Sequence, residues 1–368
     1  MKENPHGGDI YSGRYDYDFS VNVNPFGPPE SVRQAVRESV ECLTNYPDSS
    51  CQALRKALSE KLAVRPDHLI FGNGAAELIF ALVQAVRPKK ALLAAPGFAE
   101  YEAALKAADC EIVFYPLSPE RNFQPGEDFM EWITDETDLI FLCNPNNPTG
   151  VETPREFLLQ AAERAEKCRA VLAVDECFWQ FVPAKERVTL MDAVERYPSL
   201  FLLHAFTKTY AMPGLRLGYG VSSDHALLEW MERQVQAWNV SIPAQMAGLA
   251  ALQEDAYVER TAKAVALERE YLSGEMKRLG LTVYPSSANF LLFQGPEDLK
   301  ERCKEKKILI RDCRNYHGLC PGWFRVAVKL HEENEVLIRS LEEMLKTINE
   351  QIQNIAQKKD TLCRMMYN

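Results

Sequence analysis

Lys208 sits in the stretch HAFTKTYAMPGLRLGYG, residues 204–220, behind an apolar run and directly after Thr207. A lysine delivered at a buried strand end has a lowered amine pKa and can form a Schiff base with an aldehyde. Arg216 follows eight positions later, beyond a Pro-Gly break, and its guanidinium suits phosphate geometry. Two earlier apolar runs also end in polar groups. DLIFLCN runs into NPNNPTG, residues 144–150, and presents Asn147; VLAV delivers Asp175 and Glu176. A carboxylate at that place needs a cation or hydrogen-bond donors. HLIFG leads into GNGAAE, which sets the backbone N–H groups of Gly74, Ala75 and Ala76 at a helix start, where a phosphate binds well. Each feature alone is ordinary: a tight turn, a proline loop, a surface lysine. Together they supply an aldehyde partner, an acid for a pyridinium nitrogen, a donor for a ring oxygen and a phosphate cradle, the set that pyridoxal 5'-phosphate requires.

The elements that must position these residues alternate along the chain. Short β-rich runs at 68–72, 90–96, 111–116, 138–144, 171–176 and 200–206 are separated by helical patterns such as ELIFALVQAV and REFLLQAAERAEK. The expected fold class is α/β: a three-layer α/β/α large domain with a mostly parallel sheet, a smaller α+β C-terminal domain and an N-terminal arm. The expected boundaries are 1–28 for the arm, 29–240 for the large domain and 241–368 for the small one. In such sheets ligands collect beyond the carboxyl ends of the strands. In WFRVAVKL, residues 323–330, alternation puts Phe324, Val326 and Val328 on one face and Arg325, Ala327 and Lys329 on the other. Residues 332–353 read as an amphipathic helix and 357–368 as a frayed end.

Composition excludes several classes. A net charge of -10 leaves no basic footprint for nucleic acid, and RCKEKK at 302–307 reads as a solvated face. No apolar run approaches the roughly 18 residues that span a bilayer, and the start lacks a signal-peptide pattern, so a cytoplasmic protein is expected. The ten cysteines are scattered and have no C-x-x-C pair, which points to unbridged thiols and no metal site.

The order NPNNPTG, VDE, TK, GLRLGY resembles the fold-type I pyridoxal-phosphate enzymes of the aspartate aminotransferase superfamily, over about residues 6–345. Within it the chain is similar to the histidinol-phosphate aminotransferase subgroup, and most of all to its threonine-phosphate decarboxylase branch, of the cobalamin pathway. HGGD (6–9), DFSVNVNPFG (18–27), APGFAEYEAAL (95–105), ILIRDCRNYHGL (308–319) and FRVAVK (324–329) carry that finer match. The resemblance implies that Lys208 bonds the cofactor aldehyde, Asp175 pairs with the pyridinium nitrogen, Asn147 bonds the ring 3-oxygen and Tyr101 stacks on the ring. Gly74, Ala75, Ala76, Thr207 and Arg216 would hold the cofactor phosphate. Tyr46 would reach the phosphate of a neighbouring subunit, which implies a homodimer with shared sites. Arg325 would bind the substrate α-carboxylate, with Asn24 and Asn289 on the substrate side. His6, Arg311 and Lys329 are candidates for a substrate phosphate.

The expected reaction is decarboxylation of an O-phospho L-amino acid; the alternative is transamination of histidinol phosphate or an aromatic amino acid. Three positions bear on this. Ala205 stands where the family has a hydroxyl residue, so a phosphate contact is missing that His204 could replace. Asp9 replaces the usual Asn of the arm. Phe178 stands where many aminotransferases of the subgroup have Tyr, a choice the decarboxylase branch shares. A non-catalytic regulator that kept the fold would show a lost lysine or an appended DNA-binding segment, and neither is visible.

Overall fold

A computed structural model describes residues 6–183 and 188–347. Its strands are β1 (Tyr17–Asp18), β2 (Leu69–Asn73), β3 (Lys90–Ala95), β4 (Glu111–Pro116), β5 (Leu139–Cys143), β6 (Val171–Asp175), β7 (Leu200–Ala205), β8 (Leu217–Val221), β9 (Thr282–Val283), β10 (Phe290–Gln294), β11 (Ile308–Leu309), β12 (Arg311–Asp312) and β13 (Trp323–Ala327). Seven of them form one sheet in the order β2-β8-β7-β6-β5-β3-β4. β8 runs antiparallel to both neighbours and every other pair is parallel. The apolar runs explain this arrangement: β5, β6 and β7 are buried nearly end to end, as strands covered by helices on both faces must be.

Two apolar clusters cover the two faces of this sheet. One gathers Leu92, Ile140, Leu142, Leu172, Val174 and Leu202. The other gathers Leu93, Leu139, Phe141, Ala173, Phe201 and Leu203, so alternate residues of the same strands go to opposite sides. Register then sets the site. Cys143 pairs with Asp175 and Asp175 with Leu203, so β5, β6 and β7 end side by side, and the polar residues that follow them emerge at one edge.

A four-stranded sheet, β12-β13-β10-β9, stands apart over a third cluster that includes Phe293, Phe324 and Val326. The N-terminal arm joins it: β1 pairs in parallel with β11, Phe19 is fully buried in that cluster, and the Ala327 N–H donates to Phe19 O at 2.8 Å. The expected boundary at residue 240 does not match the packing. Ala244, Ala247 and Ala251 of the helix Ile242–Ala251 belong to the large-sheet cluster with Leu54 and Leu58. The following helix, Asp255–Arg278, contributes Tyr257 and Val258 to the first cluster, Val265 to the second, and Leu272 and Met276 to the third. The change from one body to the other therefore falls inside that helix.

Helical residues 331–347 match the first part of the expected C-terminal helix; the remainder, and the end at 357–368, lie outside the described residues. No helix among the described residues is long and apolar enough to cross a membrane.

Candidate active site

Beyond the ends of β5, β6 and β7 lies a cleft of about 220 Å³. Its walls include Lys208, Asp175, Asn147, Ala75, Ala76, Thr207, Arg216, Arg311, Arg325 and His6, residues that stand far apart in sequence.

Lys208 occupies the one-turn helix Phe206–Thr209 that follows β7 directly. Its Nζ lies 6.0 Å from the centroid of the Phe178 ring. Burial, joined by the charge of Arg325, draws the amine down to about 8, so an appreciable part of it is unprotonated near neutral pH.

Asp175, the last residue of β6, is 6% exposed. Its Oδ1 accepts the Cys177 N–H at 2.9 Å and its Oδ2 accepts the Tyr101 hydroxyl at 2.6 Å. Burial raises its pKa, and the two donors and the Lys208 charge pull the other way. The carboxylate is thus fixed in place and left short of a full counter-charge, a condition that favours a cation facing it in the cleft.

At the opposite wall, β2 feeds the helix Ala75–Val86 through Gly74. Gly74 has φ +79°, and a β-carbon there would run into the Arg216 guanidinium. A β-carbon at Gly218 on β8 would strike the Ala75 nitrogen. Glycines at both positions let Arg216 and the helix start converge, with Thr207 beside them in the wall. Three kinds of donor for a phosphate meet there: backbone N–H, hydroxyl and guanidinium.

The other side of the cleft comes from the small sheet and the arm. Arg325 on β13 is 6% exposed. It contacts Asn147 Oδ1 through Nη1 and donates to Ser20 O through Nη2 at 3.2 Å. Its Nη1 also donates to the Tyr316 hydroxyl at 3.4 Å, and its guanidinium lies 5.2 Å from the Phe290 ring centroid. Asn22, with its amide oxygen turned toward Arg325, accepts from Nε and Nη1 at 3.3 Å. Arg311 on β12 stands directly across from Arg325 in the β12–β13 ladder and donates to Asn315 Oδ1 at 2.7 Å. His6 closes the mouth, its Nε2 2.7 Å from Glu100 Oε1.

Five expectations are revised by these positions. Tyr101 does not face the cleft: it is 2% exposed, stacked on Phe141 at 4.7 Å, with its hydroxyl spent on Asp175. Phe98, three residues earlier, is in the cleft wall together with Phe178 and Tyr316, and sequence reasoning missed it. Asn24 is not on the substrate side. Its amide donates to Thr209 O at 2.7 Å and Thr261 Oγ1 at 2.9 Å, its oxygen accepts the Phe26 N–H, and its own N–H donates to Lys208 O at 3.0 Å. It braces the turn that carries Lys208. Asn289 is fully buried, away from the cleft wall. Lys329 lies past the end of β13, where alternation no longer holds, and is not in the wall either. His204 cannot replace a phosphate hydroxyl lost at Ala205, because it points to the other side of β7 and stacks on Tyr219 at 4.8 Å. Tyr46 is 76% exposed and stacked on Trp238, outside the cleft of its own chain.

The protein-family model of class I and II aminotransferases matches residues 16–341. The chain belongs to that family. It is 37% identical to threonine-phosphate decarboxylase of Salmonella typhimurium, over 89% of this chain and 91% of that one. A bifunctional adenosylcobalamin biosynthesis protein of Leptospira interrogans is 30% identical over 87% of this chain, which spans 38% of that longer protein. The crystal structure of histidinol-phosphate aminotransferase from Clostridium acetobutylicum superposes with a TM-score of 0.83 at 29% identity, covering 90% of this chain and 99% of that one.

The cofactor is pyridoxal 5'-phosphate, and the cleft fits it. Lys208 and Asp175 face the cavity, and the Gly74 turn leaves the anion corner open to Arg216 where any side chain would fill it.

Proposed function

We propose that this enzyme decarboxylates an O-phospho L-amino acid, with threonine phosphate as the leading candidate, as a step of cobalamin biosynthesis. The observation that carries the reading is the Arg311–Arg325 pair. These two arginines stand directly opposite each other on neighbouring strands and both line the cleft, so two like charges converge on one place. An occupant with two anionic groups relieves both. Threonine phosphate has a carboxylate and a phosphate; histidinol phosphate has a single anionic group, and so has an ordinary aromatic amino acid. The similarity to threonine-phosphate decarboxylase supports the same choice.

In this reading Arg325, held by Ser20, Asn22 and Tyr316, binds the α-carboxylate as a fork. Arg311 binds the phosphate, helped by His6 at the mouth. Lys208, Asp175 and Asn147 would hold the cofactor ring with Phe98 beside it in the wall, and the N–H groups of Ala75 and Ala76 with Thr207 and Arg216 would hold its phosphate. When bound, the cofactor supplies an electron sink for the pair left on Cα as carbon dioxide departs. Arg325 would orient the carboxylate that departs, and the Lys208 amine, which lines the same cleft, would return a proton to Cα. Tyr46, with Trp238, Val40 and Leu43, forms an exposed apolar face for a second copy of the chain, whose cleft the tyrosine would complete. The nine cysteines among the described residues are unbridged, which supports a reducing compartment such as the cytoplasm.

Incubation of the holoenzyme with threonine phosphate, serine phosphate and histidinol phosphate tests this reading. Carbon dioxide release from the first two is expected. Formation of a 2-oxo product without gas would assign an aminotransferase instead. Sedimentation tests the assembly: a fully active monomer at micromolar concentration would refute shared sites.

A further inference from the structure

Behind the site, on the side of β7 away from the cleft, the structure buries two titratable side chains that the proposed reaction does not use. Glu176 is fully buried and His204 is 1% exposed. The Glu176 N–H extends the β6–β7 ladder to Leu203 O at 2.8 Å. Its carboxylate accepts the Leu190 N–H at 2.9 Å on Oε1 and the Thr189 hydroxyl at 2.6 Å on Oε2. His204 Nε2 lies 3.4 Å from the same Oε2. The imidazole is sandwiched against Tyr219 and edge-on to Trp179, and neither ring nitrogen makes a well-formed hydrogen bond. An imidazole always carries at least one N–H or one lone pair that wants a partner, and a buried carboxylate wants a counter-charge or a proton.

We propose that Glu176 and His204 hold one titratable proton between them, as an electrically neutral pair packed behind the ends of β6 and β7. The charges facing the pair fit this. Asp175 directly precedes Glu176 in the chain and opposes a second negative charge; Arg155, which donates to Thr189 O and to Asp192, acts the other way; Tyr219 is neutral. Burial raises Glu176 from 4.5 to about 7 and lowers His204 from 6.5 to about 3. The proton rests on Glu176 in the folded protein and on the histidine in the unfolded chain.

That exchange has a signature. Between pH 4.5 and 6.5 the folded and unfolded states bind the same number of protons at this pair, so it adds no pH dependence to stability. Each residue alone would add one, with opposite signs. In His204→Gln, Glu176 contributes stability that is full below 4.5 and lost as pH rises through about 7. In Glu176→Gln, His204 contributes stability that is full above 6.5 and lost as pH falls toward about 3.

The experiment is denaturant unfolding of the apo-protein across this range, for the wild type, both single variants and the double variant. Relative to the wild type, His204→Gln is expected to lose stability with rising pH and Glu176→Gln to gain it, each by one proton per molecule, with the double variant parallel to the wild type. Single variants that both parallel the wild type, or that slope the same way, overturn the proposal. If a variant does not fold, wild-type apo-protein at about pH 6 decides. Its infrared spectrum should contain a protonated carboxyl band that moves on 13C-glutamate labelling, and absence of that band overturns the proposal. Both readouts are independent of the substrate, so their failure would leave the decarboxylase reading untouched.

Discussion

The two walls of the cleft are built on different principles. The wall made by β5, β6 and β7 places its groups by register: Asp175 and Lys208 follow from strands buried on both faces, and both carboxylate oxygens of Asp175 are held by fixed donors. The wall made by β12, β13 and the arm is assembled from short elements. It concentrates cations, and it borrows partners for Arg325 from Ser20 and Asn22, some 300 residues away. The first wall suits a cofactor whose position must not vary. The second suits a recognition surface, where charge decides what enters.

Substitutions on each side should separate these roles. Lys208→Ala should have the largest effect, a loss on the order of 10⁴-fold or more in kcat, read in single-turnover assays. Arg325→Lys keeps the charge and loses the fork; kcat/KM should fall about 100-fold for every substrate. Arg311→Gln should raise KM roughly 30-fold for threonine phosphate while barely changing turnover of a non-phosphorylated analogue. Equal losses for both substrates would erase the distinction between the walls. Tyr101→Phe removes one charge-assisted hydrogen bond to Asp175, and cofactor affinity should drop about tenfold by equilibrium dialysis. The smallest effect is a matter of pH. The folded pKa of Lys208 is lowered, so its amine is neutral above about 8 and takes up a proton below it. Labelling of the apo-protein with an amine reagent should accelerate through that value and level off above it.

Much of the first wall was legible in the sequence, because an apolar run that ends in a polar residue fixes both the strand and the edge where its polar neighbour emerges. The failures were local. Phe98 and Tyr101 lie three residues apart at a helix start, on the same side, so the spacing does not say which ring faces the cleft and which supports Asp175. Lys329 was misplaced because alternation was extended two residues beyond the last ladder pair of β13. Asn22 escaped notice, and Asn24 was misread, because the arm has almost no regular periodicity and its contacts are all with distant parts of the chain. The handover inside the helix Asp255–Arg278 was invisible for a different reason: a continuous helix shows no break in pattern where its neighbours change.

The pairing of β1 with β11, and of Phe19 with Ala327, welds the arm to the small sheet. The mouth of the cleft and its two arginines thus form one mechanical unit, carried on a helix that reaches back into the larger body. A rocking of that unit would widen or narrow the entrance and shift the arginines in the same stroke, so admission of the substrate and its grip are geared together. Cutting the chain within the first 22 residues would strip away that gearing while leaving the cofactor wall standing.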